Sequence, residues 1–168
     1  MEYWDIYDRN GYPTGRKAVK GQQFSENDYH LAVEAWIINS KFEILLQQRS
    51  EKCPVLPNVW CHTTGRIIAG EDSLQGCIRE VREELGVEIS GDEIQFFQRI
   101  IRKDGTNLIW DLFLVRKDIQ PSEFILQESE VSRVKWVSEE TFVQMVKKQE
   151  MFQYPEIFSV LDKIKRHF

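Results

Sequence analysis

Residues 65–87 read GRIIAGEDSLQGCIREVREELGV. The second half of this stretch has the periodicity of an amphipathic helix beginning near Ser73. Leu74, Cys77, Ile78, Val81 and Leu85 recur at i, i+3, i+4, i+7 and i+11, which makes one apolar face. Asp72 or Ser73 is the N-cap, and Gly86 ends the helix as the left-handed residue past its last turn. Glu80, Glu83 and Glu84, spaced i, i+3, i+4, gather on another face. Three carboxylates held together repel one another, which a helix shaped by stability alone does not favour. A hard divalent cation removes that repulsion, because Mg²⁺ takes oxygen ligands and is commonly shared between carboxylates and phosphates. A solvated acidic face would account for the acids, but not for the spacing from Gly65 to Glu71 to Arg79.

Upstream, Val59 and Trp60 open a short strand leading into Gly65. Ser50–Asn58, with Pro54 and Pro57, is a loop. His30–Asn39 and Glu43–Arg49 are rich in β-formers, and the turn Asn39–Phe42 joins them as a hairpin. His30, at the start of the first of these strands, reads as an edge or loop side chain. Gln22–Asp28 is polar and loop-like. Glu2–Asp8 and Tyr12–Lys17 flank the turn Asn10-Gly11, giving a second hairpin too small to fold alone. The expectation is one domain over residues 1–168, with the N-terminal hairpin of residues 1–20 packed on it.

Downstream, Glu93–Arg102 and Asn107–Arg116 are strands around the turn Lys103–Thr106. Phe96, Phe97, Trp110 and Phe113 on them read as core rather than as stacking platforms for a ligand. Ile119–Glu130 is an acidic loop and Val131–Val137 a strand. Ser138 caps a helix through about Lys148. A last amphipathic helix, Pro155–Arg166, presents Ile157, Phe158, Leu161 and Ile164. Strands, a helix, strands and two helices make a mixed α/β order, which by itself allows several folds.

The composition, 42% hydrophobic and 29% charged, is that of an ordinary globular chain. Its net charge of −5 argues against broad binding to nucleic acid or a membrane surface, and means that an anionic substrate needs local cations or a metal. The basic clusters Lys147-Lys148 and Lys163–Arg166 lie on helical patterns and read as solvated faces. Three cysteines, Cys53, Cys61 and Cys77, form no Cys-x-x-Cys pair and fit a reducing compartment. No apolar run approaches the roughly 18 residues of a membrane span. No signal peptide is visible after Met1, so the cytoplasm is the simplest location.

The opening stretch resembles a complete Nudix box, G-x5-E-x7-R-E-U-x-E-E-x-G-U with U aliphatic. Gly65, Glu71, Arg79, Glu80, Val81, Glu83, Glu84, Gly86 and Val87 fill every specified position. The resemblance implies an α/β fold, an α/β/α sandwich with a central mixed sheet and the box helix on one side. It also implies metal-dependent hydrolysis of a diphosphate linkage in a small, nucleoside diphosphate-X type substrate, with Mg²⁺ or Mn²⁺ as cofactor, and it admits a homodimer. By the same resemblance Glu80 and Glu84 are the main metal ligands, with Glu83 beside them and the carbonyl of Thr64 as a backbone ligand. Arg79 orients Glu80 and pairs with Glu71. The family often adds a glutamate from a distant loop, shortly before a Trp-Val strand. Glu130 is preferred here over Glu128, and which glutamate is the general base is left open.

The segments Trp4–Gly11, Leu46–Ser50 and Pro57–Trp60 resemble the Nudix branch related to isopentenyl diphosphate isomerases. Arg49 and Lys52 stand near the positions that hold the substrate diphosphate in those isomerases. The resemblance therefore leaves isomerase-like activity as an alternative, and a non-catalytic nucleotide-binding sensor as another. Counting back from Glu71, however, the isomerases' cysteine falls at Thr64 and their histidine at Arg66. Cys61 and His62 are nearby but out of register. The isomerases tend to have a degraded box, and sensor domains normally go with broken metal positions, whereas this box is intact. These departures favour hydrolysis. The identity of the X group is not encoded in the box.

Overall fold

The computed structural model describes residues 1–168 and is built around one strand. The strands are β1 (Tyr3–Tyr7), β2 (Pro13–Val19), β3 (Tyr29–Ile38), β4 (Ile44–Arg49), β5 (Trp60–Cys61), β6 (Thr63–Arg66), β7 (Ile94–Ile101), β8 (Leu108–Arg116) and β9 (Val131–Val137). The helices are α1 (Ser73–Leu85), α2 (Glu139–Lys147) and α3 (Ile157–His167). All ten residues of β3 are buried, as expected of a strand covered on both faces. It runs parallel to β8 from His30↔Leu108 to Ile38↔Arg116. Along its other edge it meets β1 at Ile6↔His30, β6 from Ala32↔Arg66 to Ala35↔Thr63, and β4 at Ile38↔Ile44, all antiparallel.

The period-two alternation of β3 sorts its side chains onto two cores. Val33, Ala35 and Ile37 join Ile67, Cys77, Val81, Leu85 and Phe113 under α1. Trp36 and Ile38 join Leu46, Leu114, Phe142, Val160, Leu161 and Ile164 under α2 and α3. The result is the expected α/β/α sandwich around a mixed sheet.

Several local expectations change. The β3–β4 hairpin is only one pair long, because β6 occupies the neighbouring edge of β3 and β4 leaves to pair with β5 and β9. The strand expected at Val59-Trp60 is split: Trp60–Cys61 pairs with β4, and Thr63–Arg66 pairs with β3. His30 is not an edge side chain. It is buried, because β1 closes over it and its ring lies 4.3 Å from that of Trp4. Leu74 and Phe158 are exposed: Leu74 lies in the first turn of α1, before its packed face begins, and Phe158 lies off the packed face that Ile157, Val160, Leu161 and Ile164 form on α3. Phe96 is also exposed: it sits on β7, which pairs only with β8, and only its edge-to-face contact with Phe113 ties it to the core.

Candidate functional site

Both ends of α1 are fixed by local bonds. Asp72 Oδ1 accepts from the Gln75 N–H at 2.8 Å, and Gln75 Oε1 accepts from the Asp72 N–H at 3.1 Å, a reciprocal capping box. Gly86 has φ 70°, the left-handed conformation that only glycine adopts without strain, and its N–H donates to Arg82 O at 2.9 Å. With the helix register set at both ends, Glu80 and Glu84 stand one turn apart near the sheet.

Arg79 organises the acids. Its Nε and Nη2 donate to the two oxygens of Glu71 at 2.8 and 3.0 Å, a bidentate pair. Nη1 donates to Glu80 Oε1 at 2.8 Å and to Glu83 Oε2 at 3.1 Å, and Nη2 also reaches the carbonyl of Arg66 at 3.0 Å. One guanidinium thus binds three carboxylates and ties the loop before α1, through Glu71, to Glu80 and Glu83 on the helix; these partners raise its own pKa, the Glu71 hydrogen bond foremost. Glu80 lies directly on Gly65, where an added Cβ would stand 1.9 Å from Glu80 Cδ. The glycine of the box therefore leaves the space in which the end of the Glu80 side chain lies.

Burial dominates the electrostatics. It pushes the carboxyl of Glu80 up to about 7, with Arg79 opposing and Glu83 and Glu71 adding to the rise. It pushes Glu84, 5% exposed, up to about 8; Gln47 and Arg49 oppose, while Glu80 and Glu130 add their repulsion. Glu130 therefore stands within the field of Glu84, as Arg49 does. Glu130 is half-buried, with Oε2 3.5 Å from Cys53 Sγ, whereas Glu128 is exposed. Arg49 is held by Nε donating to Val55 O at 3.0 Å. Lys52 is exposed in the Ser50–Asn58 loop, and only its backbone N–H is bonded, to Ser50 Oγ at 3.3 Å. Thr64 pairs with Glu34 across β6 and β3, directly before the glycine that seats Glu80.

The fold thus brings Glu71, Arg79, Glu80, Glu83, Glu84, Glu130 and Arg49 to one region and leaves Lys52 at its rim. The carboxylate donors are all oxygen, Glu84 is buried and Glu80 is half-buried, which fits a hard cation. In the geometry seen here no three acidic, histidine or cysteine side chains converge as a formed metal centre, and Arg79 holds Glu80 and Glu83. An open cleft of about 600 Å³ lies beside the loop, lined by Ile68, Glu71, Gln75, Arg79 and Arg82 among others. Glu80, Glu84 and Glu130 do not line it.

Sequence reasoning missed two residues. Gln47 Nε2 donates to Glu84 Oε2 at 2.6 Å, and Thr63 Oγ1 donates to Gln47 Oε1 at 2.8 Å. The only sequence signal for Gln47 was a polar residue inside a run of β-formers. Cys61 and His62, weighed as isomerase-type groups, are sealed in the core. Burial raises the Cys61 thiol to about 12, and His62 stacks on Trp36 with ring centroids 4.0 Å apart.

Residues 28–158 match the model of the NUDIX domain. Across the full length of both proteins the chain is 29% identical to the uncharacterized Nudix hydrolase lmo0368 of Listeria monocytogenes. It is 33% identical to Nudix hydrolase 3 of Arabidopsis thaliana over 92% of this chain and 21% of the plant protein. It is 31% identical to an Escherichia coli isopentenyl-diphosphate Delta-isomerase over 55% of this chain and 51% of the isomerase. Among solved structures, DR0079 from Deinococcus radiodurans superposes with a TM-score of 0.77 at 18% identity, covering 96% of this chain and 98% of that one. No helix is long and apolar enough to cross a membrane.

Proposed function

Because this chain belongs to the Nudix family and carries the complete box of its hydrolases, we propose that it hydrolyses a diphosphate linkage in a nucleoside diphosphate-X type substrate, with Mg²⁺ or Mn²⁺ bound at the acidic face of α1. The observation that carries this reading is the seating of Glu80 on Gly65 beside the buried Glu84, with Arg79 clamped to Glu71.

Glu80 and Glu84 would hold the cation, with Glu83 and the Thr64 carbonyl beside them. When bound, the cation neutralises phosphate charge and eases deprotonation of water. The chain's own residues supply the rest. Arg79 keeps the loop of residues 66–71 against α1 and sets the rotamer of Glu80. Arg49, with Lys52 at the rim, offers positive charge to the diphosphate of the substrate. Glu130, or Glu83, accepts the proton of the attacking water. The water oxygen forms the new P–O bond, the bond to the bridging oxygen breaks, and two phosphomonoesters leave.

The test is a Mg²⁺-supplemented phosphate-release screen over nucleoside di- and triphosphates, nucleotide sugars and dinucleotide cofactors. Each reaction is quenched and its products are resolved by anion-exchange chromatography, with no coupling phosphatase, which would itself attack di- and triphosphates. Release that stops with a chelator supports the reading. Tight binding without turnover across the whole panel would replace it with a sensor role. Proton exchange into isopentenyl diphosphate that depends on Cys61 would replace it with isomerisation.

A further inference from the structure

Glu84 is held differently from its neighbours. Glu80 and Glu83 both rest on the Arg79 guanidinium, a charged partner. Glu84 instead receives a hydrogen bond from a neutral amide, Gln47 Nε2 to Glu84 Oε2 at 2.6 Å. That amide reaches it from β4, on the opposite side of a 37-residue separation in sequence. Gln47 is 1% exposed, Thr63 4% and Glu84 5%, so water does not compete for these bonds.

The direction of the amide is determined by what flanks it. A glutamine side chain has a donor end and an acceptor end of nearly the same shape. Turned the other way, Gln47 would set its oxygen against a carboxylate oxygen. The acceptor-only carboxylate of ionised Glu84 sets the orientation, and the Thr63 hydroxyl, able to donate or accept, then donates to the buried Gln47 Oε1 at 2.8 Å. Three elements, β6, β4 and α1, are therefore joined by one buried chain of hydrogen bonds.

We infer that Gln47, its Oε1 satisfied by Thr63, is a positioning residue for the cation site: it holds Glu84 by Oε2 and leaves Oε1 with no protein partner, available to a metal ion. This rests on the cation-dependent hydrolysis proposed above. Because the amide is neutral, it orients the carboxylate without cancelling the charge that attracts a cation. An arginine or lysine in its place would do both. Groups that orient a ligand from behind commonly carry a large part of a metal site's affinity.

The experiment measures Mn²⁺ binding to the protein without substrate, by the electron paramagnetic resonance signal of free Mn²⁺, in Thr63→Val, Thr63→Ser and Gln47→Leu variants. Thr63→Val keeps the shape of the side chain and leaves the buried Gln47 Oε1 without its donor. It should weaken Mn²⁺ binding by about tenfold, Gln47→Leu by about 10- to 100-fold, and Thr63→Ser should return affinity to near the parent. Thermal unfolding of the same samples separates positioning from packing. Variants that lose stability but bind Mn²⁺ like the parent overturn the inference while leaving the hydrolase reading in place. Failure of the parent protein itself to bind Mn²⁺ removes that reading, and the inference with it.

Discussion

Arg79 grips Glu71 with both arms of its guanidinium, Nε to Oε1 at 2.8 Å and Nη2 to Oε2 at 3.0 Å, although eight residues separate them. The pair is only 15% and 18% exposed at the side chain, so its charges are weakly screened. It converts the spacing between two box residues into a fixed position for the loop that precedes α1.

Replacing Arg79 by lysine keeps the charge and loses the fork. Turnover should fall by about 100-fold, the scale expected when reacting groups shift by about an ångström. Stability should fall by roughly 1–3 kcal/mol, because partly buried Glu71 keeps the Ile68 N–H but loses one of its two guanidinium donors. Steady-state kinetics and urea unfolding on the same preparation check both. A kinetic effect below threefold would remove the clamp from the mechanism.

Glu84→Gln should fold and lose most of its activity, since it deletes a charged ligand. Its stability should move the other way. Glu84 has a folded-state pKa raised to about 8 by burial. The stability this contributes is fully present below the unfolded value near 4.5 and is lost as pH rises through about 8. In chelator at pH 9 the variant should therefore be more stable than the parent, and at pH 4 it should have no such advantage. Guanidinium titrations at the two pH values decide the matter.

Gly65→Ala places a methyl group where Glu80 lies, 1.9 Å from its Cδ. No small adjustment of Glu80 absorbs that overlap while its carboxylate stays on Arg79. Turnover should drop by at least about 100-fold while far-ultraviolet circular dichroism is unchanged. Retention of activity would show that the seat on Gly65 is dispensable.

His62 is buried between Trp36 and Phe142 with neither ring nitrogen bonded, and burial lowers its pKa to about 3. A neutral histidine of this kind stabilises the fold above its unfolded pKa near 6.5, and that contribution is lost as pH falls towards 3. Between pH 7 and 5 the parent should lose about 2 kcal/mol relative to His62→Phe, which keeps the stacking and cannot titrate. The buried carboxylates, whose raised pKa values act in the opposite direction, are common to both proteins and cancel in the difference. Equal pH dependence in parent and variant would contradict this account.

The parts of the molecule legible in the sequence are those specified by short-range spacing. Helix α1 begins at Ser73 with Asp72 as cap and ends at Gly86, and strand β9 spans Val131–Val137, both as read from periodicity and turn residues. The Arg79–Glu71 pairing followed from the box. What was not legible depends on pairing across the chain. Nothing local in β3 says that it lies parallel to β8 or gives most of its other edge to β6. For the same reason Gln47 looked like one more polar strand residue. Its role is set by α1 and by Thr63, which reach it only in the folded state. His30 was misread because its cover, Trp4, comes from the N-terminal hairpin, and no periodicity in either segment announces the other.

That hairpin also touches the box. The Ala69 N–H donates to Tyr3 O at 2.8 Å, and the Gly70 N–H donates to Asp5 Oδ2 at 2.7 Å. The region shared with the family model starts only at residue 28 and stops at residue 158, before Val160, Leu161 and Ile164 enter the second core. A chain trimmed to that shared region would keep every residue of the motif. It would lose the brace on the loop that carries Glu71 and nearly all of α3, with the three side chains that helix gives to the second core. The structural unit is therefore larger than the region the family model matches, and residues 1–27 and 159–168 brace the residues inside it.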